Sequence, residues 1–482
     1  MAYIRTIKTK SGATAVQVIR KHAGRIVSLK HIGSAHTEEQ RRALLALAQD
    51  QLHRNQPSLF PETQKALELT LRRSSSDLLF RVLHTYYRIL GFDALNDADF
   101  LHLCVARMVE PTSKLDSLRV LADLGIAGLT KDRLYRCLTR IGTGNYRDAI
   151  QHACFASTTA QALTLVLYDV TTLYSETQKE DSYRKSGLSK ERRLEPQIVV
   201  GLLVDQTGFP LSVQSFEGNT AETKTILPVL EEFRLEHHLP RVTVVADAAM
   251  MSRTNLTTLA EAGYTYIVGS RLTKIPYAIA EYQQSEGSLP DGHIVVDSHP
   301  DYRIIYQYRE KRAALDLRNI EKQITKAERI VSGQSPAHRS RFVTVKTKEK
   351  RLNRKLIEKT YALVGVKGYV TNLPAPDDQI IAAYHQLFHV EASFRMAKSD
   401  LKARPIFHRK REAIEAHLTI VLAALAVGRR MESRSHMSLK QIVKTLRPIR
   451  SGVVVLNGQE YTAQEEISED IHMMLKKLGV GH

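Results

Sequence analysis

Cysteine is scarce in this chain of 482 residues, which contains only Cys104, Cys137 and Cys154. The three are widely spaced, and no Cys-x-x-Cys pair occurs. Such a pattern does not indicate a disulfide framework or a cysteine-rich metal module. We therefore expect reduced, buried thiols in a cytosolic protein.

Long apolar runs are missing as well. The opening MAYIRTIKTKSGATAV has no signal-peptide core, and the longest later apolar stretch is LTIVLAALAVG from Leu418. That stretch is too short to span a bilayer and fits a buried helix. Neither a polybasic tail nor an amphipathic anchor is present to bind an anionic membrane. The sequence predicts a soluble, cytoplasmic protein without a membrane partner.

Acidic residues are too few to balance the basic ones. Lys and Arg number 69 against 51 Asp and Glu, which gives a net charge of +18. This excess favours a polyanionic partner, most simply nucleic acid. The length allows two to four domains, and 43% hydrophobic with 25% charged residues is typical of soluble globular proteins.

The N-terminal third changes pattern once. Residues 1–34 alternate between apolar and polar and predict a β-hairpin module, whereas residues 35–159 have helical periodicity. Predicted helices at 113–124 and 130–141, joined by GIAG, have the spacing of a helix-turn-helix. An ordinary helix pair explains this spacing equally well. Three basic residues on the second helix favour a DNA-end-binding region: Arg133, Arg136 and Arg140.

From residue 160 the element order is β-β-β-α-β-α-β, which is the order of the ribonuclease H fold. We therefore predict an α/β protein whose ribonuclease H-like core has a first part at 160–271 and a second at 361–430. A basic insertion domain at 272–360 separates the two parts. A C-terminal region without an assigned task covers 431–482.

The insertion concentrates positive charge. Residues 301–360 hold 17 Lys and Arg against 7 Asp and Glu, a net charge of +10. Lys350 and Arg351 lie in its most basic run, KTKEKRLNRK. A charge run is usually a solvated surface, but this excess favours phosphate binding.

Two aspartates interrupt or end apolar strands. Asp169 lies within LTLVLYDVTTLY, and Asp247 ends VTVVAD. A carboxylate in such a place is costly to desolvate unless a cation compensates it. In the ribonuclease H order the first and fourth strands are neighbours, so the two aspartates should converge. Divalent cations such as Mg²⁺, which prefer oxygen ligands, would relieve their repulsion.

A third acid is predicted on the helical segment DDQIIAAYHQLFHVEASFRMAKSDL. In a regular α-helix, Glu391 lies at the edge of an apolar face formed by residues 387, 390, 394, 397 and 401. Tyr384, Arg395 and Lys398 lie within about 40° of it. The alternative is a surface Glu391–Arg395 pair without a function. Convergence with the two aspartates favours a site that holds metal and phosphate.

Other histidine-based sites find less support. His385 and His389 have the spacing of a zinc hydrolase, but HQLFH lacks the glutamate that follows the first histidine in that motif. The pair His237–His238 has no supporting context, and we expect it at the surface.

The acids Asp169, Asp247 and Glu391, with Tyr384 and Lys398 in the pattern Y…E-x₆-K, resemble the DDE transposases of bacterial insertion sequences. More narrowly, they resemble the group with a YREK signature and an insertion between the second Asp and the Glu. The resemblance covers about residues 160–430, and the opening YIRTIKTKSGATAVQV is also similar. Leu387 occupies the position at which the signature has an arginine. Arg395, on the same side of the predicted helix as Glu391, would take the place of that arginine.

The resemblance implies a DNA transposase that binds terminal inverted repeats and catalyses two-metal-ion cleavage and strand transfer. It implies two Mg²⁺ or Mn²⁺ ions per active site, with Asp169 bridging both ions while Asp247 and Glu391 each hold one. Tyr384, Arg395 and Lys398 would hold phosphates, and Arg404 would contact the DNA backbone.

It also implies double-stranded DNA partners, namely transposon ends and target, a homodimer on paired ends, and a nucleoid-associated location in the bacterial cytoplasm. Two alternatives are a nuclease of the same fold that does not join strands, and a catalytically inactive DNA-binding protein.

Overall fold

The structure, a computed structural model, describes residues 2–9, 12–53, 69–158, 165–188, 194–248, 252–270, 272, 275–336, 340–346, 349–456 and 458–481. It divides into two compact units, the first comprising Met1–Leu69 with Leu456–Gly458 and the second the remainder.

The first unit is a small antiparallel sheet with one helix. Its elements are β1 (Ala2–Lys8), β2 (Thr14–His22), β3 (Arg25–Ala35) and α1 (Glu38–His53). Val16 and Val18 of β2 are buried with Ala48 of α1, so the helix covers the apolar face of the sheet. The predicted hairpin therefore has a third strand and a helix packed on it.

The second unit begins at Thr70, within strand β4 (Leu69–Ser75), and continues with a helical region. Its helices are α2 (Asp77–Ile89), α3 (Ala98–Val109), α4 (Ser117–Asp123), α5 (Lys131–Thr143) and α6 (Tyr146–Ala156). The Asp97 carboxylate accepts hydrogen bonds from the N–H groups of Asp99 and Phe100, which fixes the start of α3. The helices predicted at 113–124 and 130–141 are confirmed as α4 and α5, with α4 shorter than expected.

A mixed eight-stranded sheet forms the centre of the second unit. Its first elements are β5 (Leu165–Tyr174), β6 (Gln197–Val204), β7 (Pro210–Glu217), α7 (Ile226–Glu236), β8 (Thr243–Ala246), α8 (Arg253–Glu261) and β9 (Thr265–Ser270). This order of elements along the chain is the predicted one. Within the sheet the strands lie in the order β7-β6-β5-β8-β9, and β8 runs parallel to β5. Residues 163 and 164 of the predicted first strand lie outside the described residues.

The segment predicted as an insertion contributes to this same sheet. Its elements are α9 (Tyr277–Ser285), β10 (Ile294–Ser298), β11 (Arg303–Tyr308), α10 (Glu310–Val331), β12 (Val343–Lys346), β13 (Glu349–Leu352) and α11 (Arg354–Tyr361). The next strand, β14 (Val366–Thr371), pairs with β9, and β11 and β10 continue the sheet beyond it. Helices α10 and α11 and the β12–β13 hairpin lie outside the sheet.

The C-terminal part is mainly helical. Its elements are α12 (Asp377–His385), α13 (Phe388–Arg395), α14 (Arg411–Ser435), α15 (Leu439–Leu446), β15 (Ser451–Leu456), β16 (Gln459–Ala463) and α16 (Glu469–Leu478). The buried helix predicted from LTIVLAALAVG is confirmed, because residues 418–428 of α14 are all buried. Strand β15 pairs with β4 and β16 in a separate sheet. Within the described ranges, no helix is both long and apolar enough to cross a bilayer.

The single regular helix predicted across 377–401 is wrong. Between α12 and α13, Leu387 N–H donates to the carbonyl of Tyr384, an i to i+3 bond, and Met396–Asp400 form a π-helical turn. The predicted apolar face is nevertheless buried. Because helical pitch changes twice, angles of about 100° per residue do not relate Tyr384 to Lys398.

Candidate active site

The structure brings Asp169 and Asp247 together. Strands β5 and β8 run parallel with Tyr168 beside Ala246, and one further step in this register pairs Asp169 with Asp247. Asp169 is partly buried, whereas Asp247 follows the last residue of β8 and is exposed. The strands that carry the two aspartates are therefore parallel neighbours, as the ribonuclease H order predicts.

Asp169 faces the helices that cover the sheet. Its cross-strand neighbour is Leu202 of β6, and Leu202 and Thr171 line a cavity of about 30 Å³ together with Phe394 and Lys398. Because alternate strand residues share a face, Asp169 lies on the same side as Thr171. The Lys398 side chain therefore lies on the face of the sheet from which Asp169 projects.

Asp247 is held by a buried tyrosine. The Tyr384 hydroxyl donates a hydrogen bond to Asp247 Oδ1 at 3.2 Å, and the Tyr384 side chain is buried. Burial and the neighbouring Asp247 raise the pKa of Tyr384, so this hydroxyl keeps its proton. Tyr384 thus positions the carboxylate at the end of β8.

Lys367 on β14 is a site residue that the sequence-based prediction missed. Its Nζ lies 4.2 Å from the centre of the Tyr384 ring. Burial and Arg312 lower the pKa of Lys367, whereas the charges of Asp247 and Glu391 oppose this shift. The lysine therefore lies within electrostatic reach of two of the three predicted acids. A charged residue inside the strand VKGYVT is the signal that could have revealed it.

Glu391 is exposed in the first turn of α13, which packs against β5 and β6. Among the described residues no ion pair joins Glu391 to Arg395, so the simple surface pair is not formed. The three acids also do not form a tight cluster. The one group of three acidic, histidine or cysteine donors within 4.8 Å of one another in the described part of the chain lies elsewhere.

A cavity of about 770 Å³ opens beside Asp247 and Tyr384. Its charged lining is mostly basic, since four cations face Asp247 and Asp316: Arg312, Arg341, Lys359 and Lys367. Three of these cations come from the segment predicted as an insertion. The predicted phosphate-binding pair Lys350 and Arg351 is instead on β13, where Arg351 contacts Glu349 at 2.7 Å.

The remaining predicted DNA contacts are dispersed. On α5, Arg133 pairs with Asp99 at 2.7 Å, whereas Arg136 is exposed. Arg395 is exposed at the end of α13, and the Arg404 guanidinium lies 5.9 Å from the centre of the Tyr174 ring. These arginines lie on three segments of the chain, namely α5, the end of α13 and the loop before α14.

Gly269 on β9 leaves the space that the Tyr384 hydroxyl occupies. A Cβ at this position would lie 2.6 Å from that oxygen. Gly269→Ala should therefore lower the free energy of unfolding by about 1–3 kcal/mol, measured by urea denaturation. The effect should shrink in a Tyr384→Phe background, because the displaced oxygen is gone. Additive effects of the two substitutions would contradict this packing.

The chain matches the model of the transposase DDE domain over residues 161–427, more than half of its length. Among solved structures, it is similar to the piggyBac transposase in a synaptic complex with hairpin DNA, determined by cryo-EM. That likeness covers 77% of this chain and 79% of the other, with 11% sequence identity and a TM-score of 0.42. No curated protein matches. From the span of the family match we conclude that the chain belongs to the family of transposases with a DDE domain.

Proposed function

We propose that this transposase has a ribonuclease H-like core, binds the terminal inverted repeats of an insertion sequence, and catalyses phosphodiester cleavage and strand transfer at them. Its catalytic acids are Asp169, Asp247 and Glu391. One observation carries the proposal: two acids occupy neighbouring positions on parallel strands inside the segment that matches the DDE domain. Glu391 joins them through the resemblance of its motif and the packing of α13 on β5.

The donor set fits hard divalent cations. Transposases with a DDE domain generally use such ions, and carboxylate oxygens are the ligands that Mg²⁺ and Mn²⁺ prefer. Asp169, Asp247 and Glu391 would hold two such ions. When bound, the ions supply charge stabilisation for the attacking and leaving oxygens.

The protein's own side chains orient these acids and the DNA. Tyr384 holds the Asp247 carboxylate through its hydrogen bond. Lys398 lies on the face of Asp169, and Lys367 lies beside Tyr384. As positive groups next to the acids, both lysines would hold the phosphates that flank the scissile bond. Arg395, which is exposed one turn after Glu391, would contact phosphates of the same DNA strand.

The cations of the cavity beside Asp247 should bind the DNA backbone. Replacing Lys359 or Arg312 with Ala removes one phosphate contact, so the slope of log Kd against log salt should decrease by about 1 for each. Fluorescence anisotropy with a labelled transposon-end duplex measures this slope. Lys476→Ala, which removes an exposed cation of α16, should leave it unchanged. Equal slopes for all variants would exclude the cavity from the DNA path.

A joining assay tests the proposed reaction. The chain is incubated with a labelled end duplex, a supercoiled target plasmid and Mg²⁺, and products are resolved on a gel. We expect metal-dependent nicking and transfer of the label into the plasmid, on complexes that contain two chains and two ends. Nicking without joining would identify a nuclease instead, and binding without nicking would identify an inactive DNA-binding protein.

A further inference from the structure

His237 lies in a buried aromatic environment at the end of α7, so its predicted surface position is wrong. Its side chain is only 3% exposed. The imidazole stacks on the Phe155 ring at 3.9 Å and meets the edge of Phe233 at 4.7 Å. These contacts fix the orientation of the ring, and the neighbouring His238 takes the exposed position at the turn.

The Nε2 atom of this buried imidazole has no hydrogen-bond partner. It points towards Glu236, whose Oε2 lies 3.9 Å away. His152 of α6 approaches the same carboxylate, with its Nε2 at 3.3 Å from Glu236 Oε1. The donor atoms of all three residues lie within 4.8 Å of one another. A buried polar atom without a partner is costly, and a ligand at this point would supply one.

We propose that His152, Glu236 and His237 form a binding site for a transition-metal ion of the Zn²⁺ type. Two imidazoles and one carboxylate suit Zn²⁺, whereas Mg²⁺ prefers oxygen ligands alone. In a tetrahedral zinc site the donor atoms are roughly 3.3 Å apart. The His152–Glu236 distance already matches this value, and the Glu236–His237 distance needs a small contraction.

The electrostatics of the surroundings agree with a bound cation. Burial, and then the nearby His152 and His238, lower the pKa of His237 to about 4, so its ring is neutral at pH 7, as a metal ligand must be. Burial raises the pKa of Glu236; His152 opposes this increase, and the charges of Asp148 and Glu232 add to it. A cation would relieve that repulsion between carboxylates.

The bound ion would have a structural role. His152 belongs to the last helix before the central sheet, and Glu236 ends the helix that follows β7. One ion would therefore link α6 to α7. Since ligand binding stabilises the folded state, saturating Zn²⁺ should raise the melting temperature by about 5 °C or more.

Calorimetric titration of the full chain with ZnCl₂ tests the site, with excess Mg²⁺ present to occupy the proposed catalytic acids. We expect one Zn²⁺ per chain, and a loss of affinity of at least about tenfold in His152→Ala. The His152 side chain is 54% exposed, so this variant should fold. Glu236→Gln should lose Zn²⁺ affinity to a similar extent as His152→Ala. His238→Asn is the matched control and should bind Zn²⁺ like wild type.

Cobalt(II) gives an independent readout. Its visible absorption reports tetrahedral binding, and the bands should be absent in His152→Ala and present in His238→Asn. The proposal is overturned if wild type binds no stoichiometric Zn²⁺, if His152→Ala binds like wild type, or if His238→Asn loses as much affinity. DNA joining is assayed separately, so failure of this site leaves the proposed reaction untouched.

Discussion

Asp169→Asn, Asp247→Asn and Glu391→Gln should each slow Mg²⁺-dependent cleavage of a transposon-end duplex by at least about 10³-fold. Each substitution preserves shape and removes one negative charge, and an amide oxygen is a far poorer partner for a hard cation than a carboxylate. Binding of the duplex should stay within about threefold of wild type, because phosphate contacts come from basic residues. Single-turnover cleavage and anisotropy measure the two quantities.

Two controls carry the same chemical changes away from the site. Asp470→Asn on α16 and Glu261→Gln on α8 alter exposed carboxylates and should cleave like wild type. If Glu391→Gln also cleaves like wild type, Glu391 is not a catalytic acid and another residue completes the set. If Asp169→Asn or Asp247→Asn retains activity, the proposed mechanism is wrong.

Glu415→Ala should destabilise the second unit by about 2–3 kcal/mol, the cost of leaving a largely buried charge without its partner. The Glu415 side chain on α14 is 21% exposed and contacts Arg147 of α6 at 2.5 Å. It also accepts hydrogen bonds from the Tyr183 hydroxyl at 2.7 Å and the Ser215 hydroxyl at 2.8 Å. Among the described residues, the substitution would therefore leave Arg147 with only its hydrogen bond to the Glu415 carbonyl, and would remove the shared acceptor of two hydroxyls. Urea denaturation measures the loss, with exposed Glu412→Ala of the same helix as the control.

The contribution of Glu415 should depend on pH. Burial alone would raise its pKa, but Arg147 and the hydrogen bonds from Tyr183 and Ser215 outweigh burial and hold the pKa below the ordinary value of 4.5. A group whose pKa is lowered by folding stabilises the fold above its unfolded pKa and loses this contribution as pH falls. The difference between wild type and Glu415→Ala should thus be complete at pH 7 and shrink below about pH 4.5. A difference that is constant across this window would contradict the role of the charge.

The placement of Asp169 and Asp247 on neighbouring strands could be predicted because each follows an unbroken apolar run, Asp169 within β5 and Asp247 at the end of β8. The lengths of the apolar segments, the turn residues between them and the alternation of strands with helices leave few possible topologies for β5 to β9. The attachment of β10 and β11 to the same sheet could not be predicted, since β11 pairs with β14 across 58 to 68 positions of the chain and leaves no local signal.

Helix geometry around Glu391 was predicted only in part. The residues at 387, 390, 394, 397 and 401 are buried as their spacing indicates, yet the backbone passes from α-helix through an i to i+3 turn to a π-helical turn. An apolar spacing of three or four residues is compatible with an α-helix that contains an i to i+3 turn or a π-helical turn. The spacing alone therefore does not reveal such changes in the backbone. The prediction that Tyr384, Glu391 and Lys398 lie on one side of a regular helix therefore used the wrong helix geometry. Tyr384 nevertheless contacts Asp247.

The surroundings of two polar side chains, Lys367 and His237, were the hardest feature to predict from the sequence. Lys367 reaches the Tyr384 ring only because β14 pairs with β9, and His237 is buried only because Phe155 of α6 covers the end of α7. Both positions depend on contacts between segments that are distant in the chain, so the local sequence can at most flag a polar residue in an apolar segment and cannot show what it contacts.

Anomalous diffraction from the chain in complex with Mn²⁺ and a transposon-end duplex is the most direct measurement of the catalytic site. The proposed mechanism predicts two Mn²⁺ peaks, with Asp169 oxygens on both ions, Asp247 on one and Glu391 on the other. A complex in which Glu391 coordinates neither ion while the DNA end is in place would contradict it.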